Sequence, residues 1–413
     1  MAKKSEPSAK IKEFAGLNNM ADHRSLSPGE LCRADNIDIT DRNGIRRRRG
    51  HDINYSPLGV ITAAWSSQDE SRMFIVDDGS LMEYQGDGGT KVLQTGFPTD
   101  TAYFADAGDR YYVSCGGRLG FIGEEGYQDL AIPTPQTPVV MSTPGALGIG
   151  RRLVAAVLEA PDGRQGGASA IASVDLETEG LGLQAIVYGE PGYITRIYIS
   201  DANGDQLKHV GSVDDGVVFI SSAWQVNGDV LDQAQIDAMP PPTPDGPIAY
   251  HEGQLYLSVS DLPGGISYIY KSMPFWPHLF LPWQDTDTVT GQTLMLAATV
   301  QGMIVGTNRN ICALADGGIV ELAKYGVVPG QNPYHDTDSK EVYFWSEEGI
   351  CKGLPFQNMF DGKVSPPPGD YCYIGKVSEG GFDRIVAGTH VADGDNAVAS
   401  NPSDHYQYRH GQN

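Results

Sequence analysis

The chain has 413 residues, with 29 Lys/Arg against 52 Asp/Glu and a formal net charge of −23. A body this acidic repels nucleic acid, which speaks against a DNA-binding enzyme but not against a conduit along which DNA slides without sticking. Its 51 glycines and 26 prolines punctuate the backbone too often for long helices and suit many short strands joined by turns.

No run of eighteen apolar residues occurs, so a transmembrane helix is not expected. The start, Met1 to Glu6, has no apolar core behind its lysines and does not read as a secretion signal. Five cysteines, Cys32, Cys115, Cys312, Cys351 and Cys372, are odd in number and lack C-x-x-C spacing. Neither a zinc site nor a disulfide framework is implied, and free thiols in an assembly built in the cytoplasm fit best.

Residues 1–50 read as an extended arm. It contains Phe14-Ala15-Gly16-Leu17-Asn18-Asn19, Leu26-Ser27-Pro28-Gly29-Glu30, Ala34-Asp35-Asn36-Ile37-Asp38-Ile39 and Asn43-Gly44-Ile45-Arg46-Arg47-Arg48-Arg49-Gly50. Eleven Lys/Arg and seven Asp/Glu give the arm +4, so the remainder carries −27. The Arg46, Arg47, Arg48, Arg49 cluster has two readings. It docks on an acidic neighbouring subunit or DNA phosphate, docking being favoured because the body is acidic. Or it is a strand of solvated arginines after the Asn43-Gly44 turn.

Strand signals fill residues 51–135. Met73–Val76, an Asp77-Asp78-Gly79 turn and Leu81–Tyr84 predict a hairpin, and the pattern returns at 102–105, 111–114 and 119–122. Proline-rich stretches at 133–138 and 239–244 bound a different middle part, 136–226, whose runs predict a separate β-sandwich. Val230 to Met239 predicts two helical turns with Asp229 as N-cap. From 240 to 413 the short strands resume at 254–258, 267–270, 294–297, 303–306, 341–345 and 384–388. Strands of four to five residues at this spacing fit small propeller blades, and a plain sandwich equally.

Chemistry is sparse. Asp201-Ala202-Asn203-Gly204-Asp205 begins like a calcium loop, but Gln206 stands where glycine is needed and no closing glutamate follows, so a turn is expected. Asp393-Gly394-Asp395-Asn396 reads the same way. Glu347-Glu348 are adjacent, and neighbours on a strand point to opposite faces, so they cannot flank one glycosidic bond. With no H-E-x-x-H, G-x-S-x-G, phosphate loop or dinucleotide fingerprint, no catalytic, metal or cofactor residues are expected. The segment Met273–Trp283 is aromatic and proline-broken; Trp276 and Phe280 are expected to join one blade to the next or to bury a subunit contact rather than stack sugar.

The arm's motif order resembles the start of the tail hub or nozzle proteins of short-tailed bacteriophages, "stabilisation protein"-like virion proteins in which such a run leads into a β-propeller. Tyr250–Tyr256, Trp276-Pro277, Gly306–Ile311, Tyr325–Val328 and Val342–Ile350 follow in the family's order. The middle part resembles the fibronectin type III-like modules of phage tail proteins, with Gly167-Ala168-Ser169-Ala170 and Arg196-Ile197-Tyr198-Ile199-Ser200 in the matching places and no aromatic near Leu153. The resemblance implies an all-β chain: a propeller of small blades, interrupted by a fibronectin type III-like sandwich, behind an extended N-terminal arm. It implies a structural virion protein, not an enzyme. Six copies would ring the DNA channel below the portal and adaptor, support tail fibres or spikes, touch the genome transiently and insert no segment into a membrane. A distal-tail or fibre-associated receptor-binding component and a carbohydrate-binding propeller are the alternatives.

Overall fold

The computed structural model describes residues 14–33, 37–39, 45–47, 55–390 and 406–409, apart from 87, 285, 316–317, 361–362, 366–370 and 380–381. The chain is all-β, built from many small antiparallel sheets. Among the described residues the longest helix is the single turn Gln233–Asp237. That helix corrects the expected one in length and cap, because Asp232 rather than Asp229 accepts the Ala234 amide at 2.8 Å.

Six of the sheets follow one plan, in which consecutive strands lie side by side from the inside outward. The first is Ile61–Ser66, Met73–Asp77, Ser80–Tyr84 and Thr90–Thr95. The second is Ala102–Asp106, Tyr111–Cys115, Arg118–Gly123 and Gly126–Asp129. The third starts with Ile248–His251, Gln254–Asp261 and Ile266–Met273; its outer position is shared by Trp276–Phe280 and Thr286–Thr290, each paired with part of the third strand. Thr293–Ala323 forms the fourth, Tyr334–Asn358 the fifth, and Tyr371–Glu379, Phe382–His390 and Tyr406–Arg409 the sixth.

The leading strands close a circle. Each meets that of the next sheet, save that Thr293–Thr299 of the fourth packs on Glu341–Ser346, the second strand of the fifth; Tyr371–Glu379 of the sixth touches Ile61–Ser66 of the first. The Tyr373 hydroxyl donates to the Ile61 carbonyl across that seam at 2.7 Å. Six small sheets in a closed circle of this kind are the arrangement of a β-propeller. Face-to-face cores glue neighbours together. Between first and second, Trp65 stacks on Phe104 at 5.3 Å, and the Phe74 and Tyr111 rings are 5.2 Å apart. The four seams from the second sheet round to the sixth are filled by clusters around Leu255 and Phe280, around Leu296 and Val305, around Phe344 and Ile304, and around Trp345 and Ile385. Apolar runs such as Phe74-Ile75-Val76 bury successive residues because both faces of each sheet meet a neighbour.

Between the second and third sheets the chain leaves the circle and forms a β-sandwich. One sheet is Val139–Pro144, Leu181–Val187 and Gly216–Ile220; the other centres on Gly150–Glu159 and Ile194–Ser200. Their inner faces share a core of Val154, Ala156, Leu183, Ala185, Ile197 and Ile220. Two serines of the sequence runs named above complete its ladders. Gly150–Glu159 pairs with Ala172–Leu176 along its first half and Gln165–Ala168 along its second. At the break, the Ala156 amide donates to Ser169 Oγ at 3.0 Å, and on the other edge the Leu153 amide donates to Ser200 Oγ at 2.9 Å.

The sandwich is held to the circle by its Ala160–Gln165 turn. Arg164 donates to the carbonyls of Leu130 and Asp129 at 2.8 and 3.3 Å and lies 4.8 Å from the Phe121 ring centroid. On the third sheet, His278 Nε2 meets the Gln165 carbonyl at 2.9 Å.

Candidate docking surfaces and the axial plug

The arm residues that carry the sequence resemblance form a clasp. Gly16–Leu17 and Glu30–Leu31 pair in parallel, a rare contact in this antiparallel molecule. Asn18 Nδ2 donates to Glu30 Oε2 at 3.2 Å, and the Ser27 amide reaches the same oxygen at 3.0 Å. Asn19 then grips the connection between the fifth and sixth sheets: its amide nitrogen and Nδ2 donate to the carbonyls of Lys363 and Ser365 at 3.1 and 2.9 Å, and its Oδ1 accepts the Ser365 amide at 2.8 Å. Lys363 Nζ closes the loop on Glu30 Oε1 at 3.1 Å. The Ser27 amide, with the Lys363 ammonium, holds the Glu30 carboxyl below the usual carboxylate range. The Leu-Asn-Asn and Pro-Gly-Glu runs are therefore structural: they tie the arm to the connection between the fifth and sixth sheets.

Of the four expected docking arginines, Arg46 and Arg47 stand in the strand Ile45–Arg47, opposite Asp38 and Ile37 of Ile37–Ile39. Arg48 and Arg49 lie outside the described residues, as do Asp393 to Asn396. The two aromatic candidates part company. Phe280 is fully buried in the seam between the second and third sheets, so blade-to-blade contact is its role and its ring is not on an outer surface. Trp276, four residues earlier, is 37% exposed beside Phe275 at 80%, and Trp283 emerges again at 54%. A Cβ on Gly253 would come within 2.8 Å of the Phe275 ring, and Gly253 has φ +81°. Only glycine fits there, and it holds the aromatic tip in place.

Glu347 and Glu348 are not on a strand, as the expectation had it, but form the turn between Glu341–Ser346 and Gly349–Lys352. Glu347 accepts the Gly326 amide at 3.0 Å. Asp201 pairs with Lys208 at 2.6 Å, and its carbonyl accepts the Gly204 amide. No group of three metal-ligating side chains occurs among the described residues.

No sequence motif marks the axial plug. Asn332 precedes the fifth sheet, yet its Oδ1 accepts the Phe104 amide at 2.9 Å and its Nδ2 donates to the Ala102 carbonyl at 3.0 Å, both in the second sheet. Second and fifth are opposed in a circle of six, so the segment before the fifth sheet reaches across to the second through this carboxamide. Its neighbour Gln331, fully buried, accepts the Trp345 amide and donates to the carbonyls of Val328 and Trp345. Beside the plug, Trp65, Asp106, Tyr250, Leu296 and His335 line a cavity of about 20 Å³, room for about one water. Burial pulls the His335 imidazole down to about 4, so it is neutral near pH 7. The Asp106 carboxylate is occupied by the amides of Gln68 and Gly108 at 2.8 and 2.7 Å. A cavity of this size leaves no space for a substrate. No side-chain pattern announces Asn332; only the topology brings it to the second sheet.

No family model matches the chain, and no curated protein matches it. Among solved structures, Kluyveromyces lactis Hsv2 is 10% identical, with 86% of this chain and 98% of that one covered and a TM-score of 0.32. PorZ, a surface component of the type-IX secretion system of Porphyromonas gingivalis, is 9% identical with a TM-score of 0.21, covering 86% of this chain and 50% of that one. Superpositions this loose assign no activity.

Proposed function

We propose that this chain is a structural component of a short phage tail, a hub or nozzle subunit that assembles as a homo-hexamer around the DNA path below the portal and adaptor and supports fibres or spikes. The observation that carries the reading is the arm. The residues that give it the family's order, Asn18, Asn19 and Glu30, are those that clasp the closed circle of sheets. In this reading the sandwich is a fibronectin type III-like module set on the propeller's rim, the assembly site is the host cytoplasm and the final location the virion.

The axial cavity holds about one water, and beside it Asn332 reaches across to the second sheet. DNA therefore passes between copies and not through one chain's own axis. A wall with a net charge of −27 outside the arm gives the passing phosphates few attractive contacts. No cofactor enters this function.

The projecting sandwich also suits a distal receptor-binding position, and copy number separates the two. Quantitative mass spectrometry of purified particles is expected to find six copies per tail. Three copies would favour a fibre or spike, and absence from particles would overturn the virion reading.

A further inference from the structure

Among the described residues, nothing covers the outer face of the sandwich's three-stranded sheet. Val139 faces Ile186, which faces Val217; one row along, Met141 faces Gln184, which faces Phe219. These positions alternate with the inward Val140, Leu183, Ala185 and Val218, so they share one side of the sheet. Val139 and Met141 are each 44% exposed and Phe219 59%. Apolar rows of this kind on an exposed sheet mark a contact site.

The frame around the face tells what kind of partner fits. At one end the turns carry Glu190, Asp214 and Asp215, at the other Glu177 and Glu179, all five exposed. The three strands and the turns 177–180, 188–193 and 214–215 contain no lysine or arginine. Two such faces meeting each other would set carboxylate against carboxylate, which disfavours a symmetric pair. The face calls instead for an apolar segment flanked by cationic side chains.

The chain itself carries one: the paired strands Ile37–Ile39 and Ile45–Arg47, followed by Arg48 and Arg49. Along the chain this segment lies between the clasp at Asn19–Lys363 and Tyr55, whose hydroxyl donates to Asp77 of the first sheet at 2.5 Å. The clasp joins the connection between fifth and sixth sheets, half a turn of the circle from the second-to-third connection that carries the sandwich. The segment's preceding tether thus lies across the circle from the acidic-framed face.

We infer that the Ile37–Arg49 segment of one copy docks on the Val139–Met141–Phe219 face of the next, a head-to-tail contact that forms a ring if the rotation closes. The inference deepens the assembly part of the proposed function and rests on it only in taking the partner to be a second copy. Particles that lack the chain would overturn the virion reading and leave this contact testable in solution.

The test mixes two full-length variants followed by sedimentation equilibrium at low salt. One has all four arginines, Arg46 to Arg49, changed to Glu; the other is Phe219→Asp, an exposed position where the change spares the core. Circular dichroism and melting temperature first establish that both fold as wild type does. Wild type is expected to self-associate, more weakly as salt rises, and each variant alone is expected to associate about tenfold or more weakly. Mixed together they are expected to form a one-to-one pair that grows no further, since the mixture retains one intact segment and one intact face. A wild type that stays monomeric at every concentration, a four-arginine variant that associates as wild type does, or a mixture that stays monomeric would overturn the contact.

Discussion

Asn332 uses both ends of its carboxamide on the opposite sheet, and its removal leaves the Phe104 amide and Ala102 carbonyl without partners inside the molecule. A buried group left unpaired costs about 1–3 kcal/mol. Asn332→Ala is therefore expected to lower unfolding stability by about 2–4 kcal/mol in urea titrations; a change below about 0.5 kcal/mol, the scale of a surface substitution, would contradict the plug. The thiols give a second residue-level check. Cys32 is exposed and Cys115, Cys312, Cys351 and Cys372 are buried. Burial pushes Cys351 up to about 11 and Cys115 up to about 12, which keeps them as unreactive thiols. Titration of the native protein with a thiol-specific reagent is expected to show one fast thiol, with the other four appearing in denaturant; two or more fast thiols would contradict these burials.

At the scale of elements, the attachment of the sandwich depends on His278. A carbonyl only accepts, so His278 Nε2 carries the hydrogen it shares with Gln165 O, and Nδ1 is left bare and buried. Burial lowers this imidazole to about 4, against about 6.5 in an unfolded chain. Between those values the unfolded state binds more protons, so the contribution is complete above about pH 6.5 and is lost as pH falls towards 4. The difference amounts to about 3 kcal/mol. Hydrogen exchange at Gln165–Ala168 is expected to quicken, relative to intrinsic rates, from pH 7 to pH 5, and His278→Gln to flatten the dependence. The same pH response in that variant would remove His278 from the account.

The clasp has its own sign. Glu30 is held below the usual carboxylate range, so its contribution is present above the unfolded value and disappears as pH falls through the folded one. Protection of the Ala15 and Asn18 amides is expected to drop in acid, and Glu30→Gln to show the dropped level at neutral pH.

The strands were the legible part of these elements. Met73–Val76, Leu81–Tyr84, 111–114 and 341–345 all fall in strands, because apolar runs broken by Asp-Gly or Gly-rich turns have few other uses. Outer strands such as Thr90–Thr95 and Gly318–Ala323 escaped notice, since they have one neighbour and tolerate polar residues. The buried Phe280 and the half-exposed Trp276 look alike in sequence, and only the bulged pairing at Ser272/Met273 separates them. Axis-crossing contacts such as Asn332 to Phe104 are fixed by the circle's closure, which local pattern does not encode.

For the whole molecule, the closed circle, the clasp and the sandwich form a strongly acidic body with one basic segment. Buried clusters fill five of the six seams among the described residues, and each seam is expected to fail together with its neighbours rather than alone. Phe74→Ala, which empties the aromatic stack at the first seam, is expected to cost about 3–5 kcal/mol in global unfolding. A change confined to local fraying near the first sheet would show that the circle is not one cooperative unit.

The most direct measurement of the central claim is electron cryo-microscopy of purified phage particles, reconstructed with no symmetry imposed about the tail axis. The account predicts six copies of this chain in a ring around the DNA, each sandwich meeting its neighbour and no DNA within any single chain's own circle of sheets. Threefold density at the tail periphery, or no density for the chain at all, would contradict it.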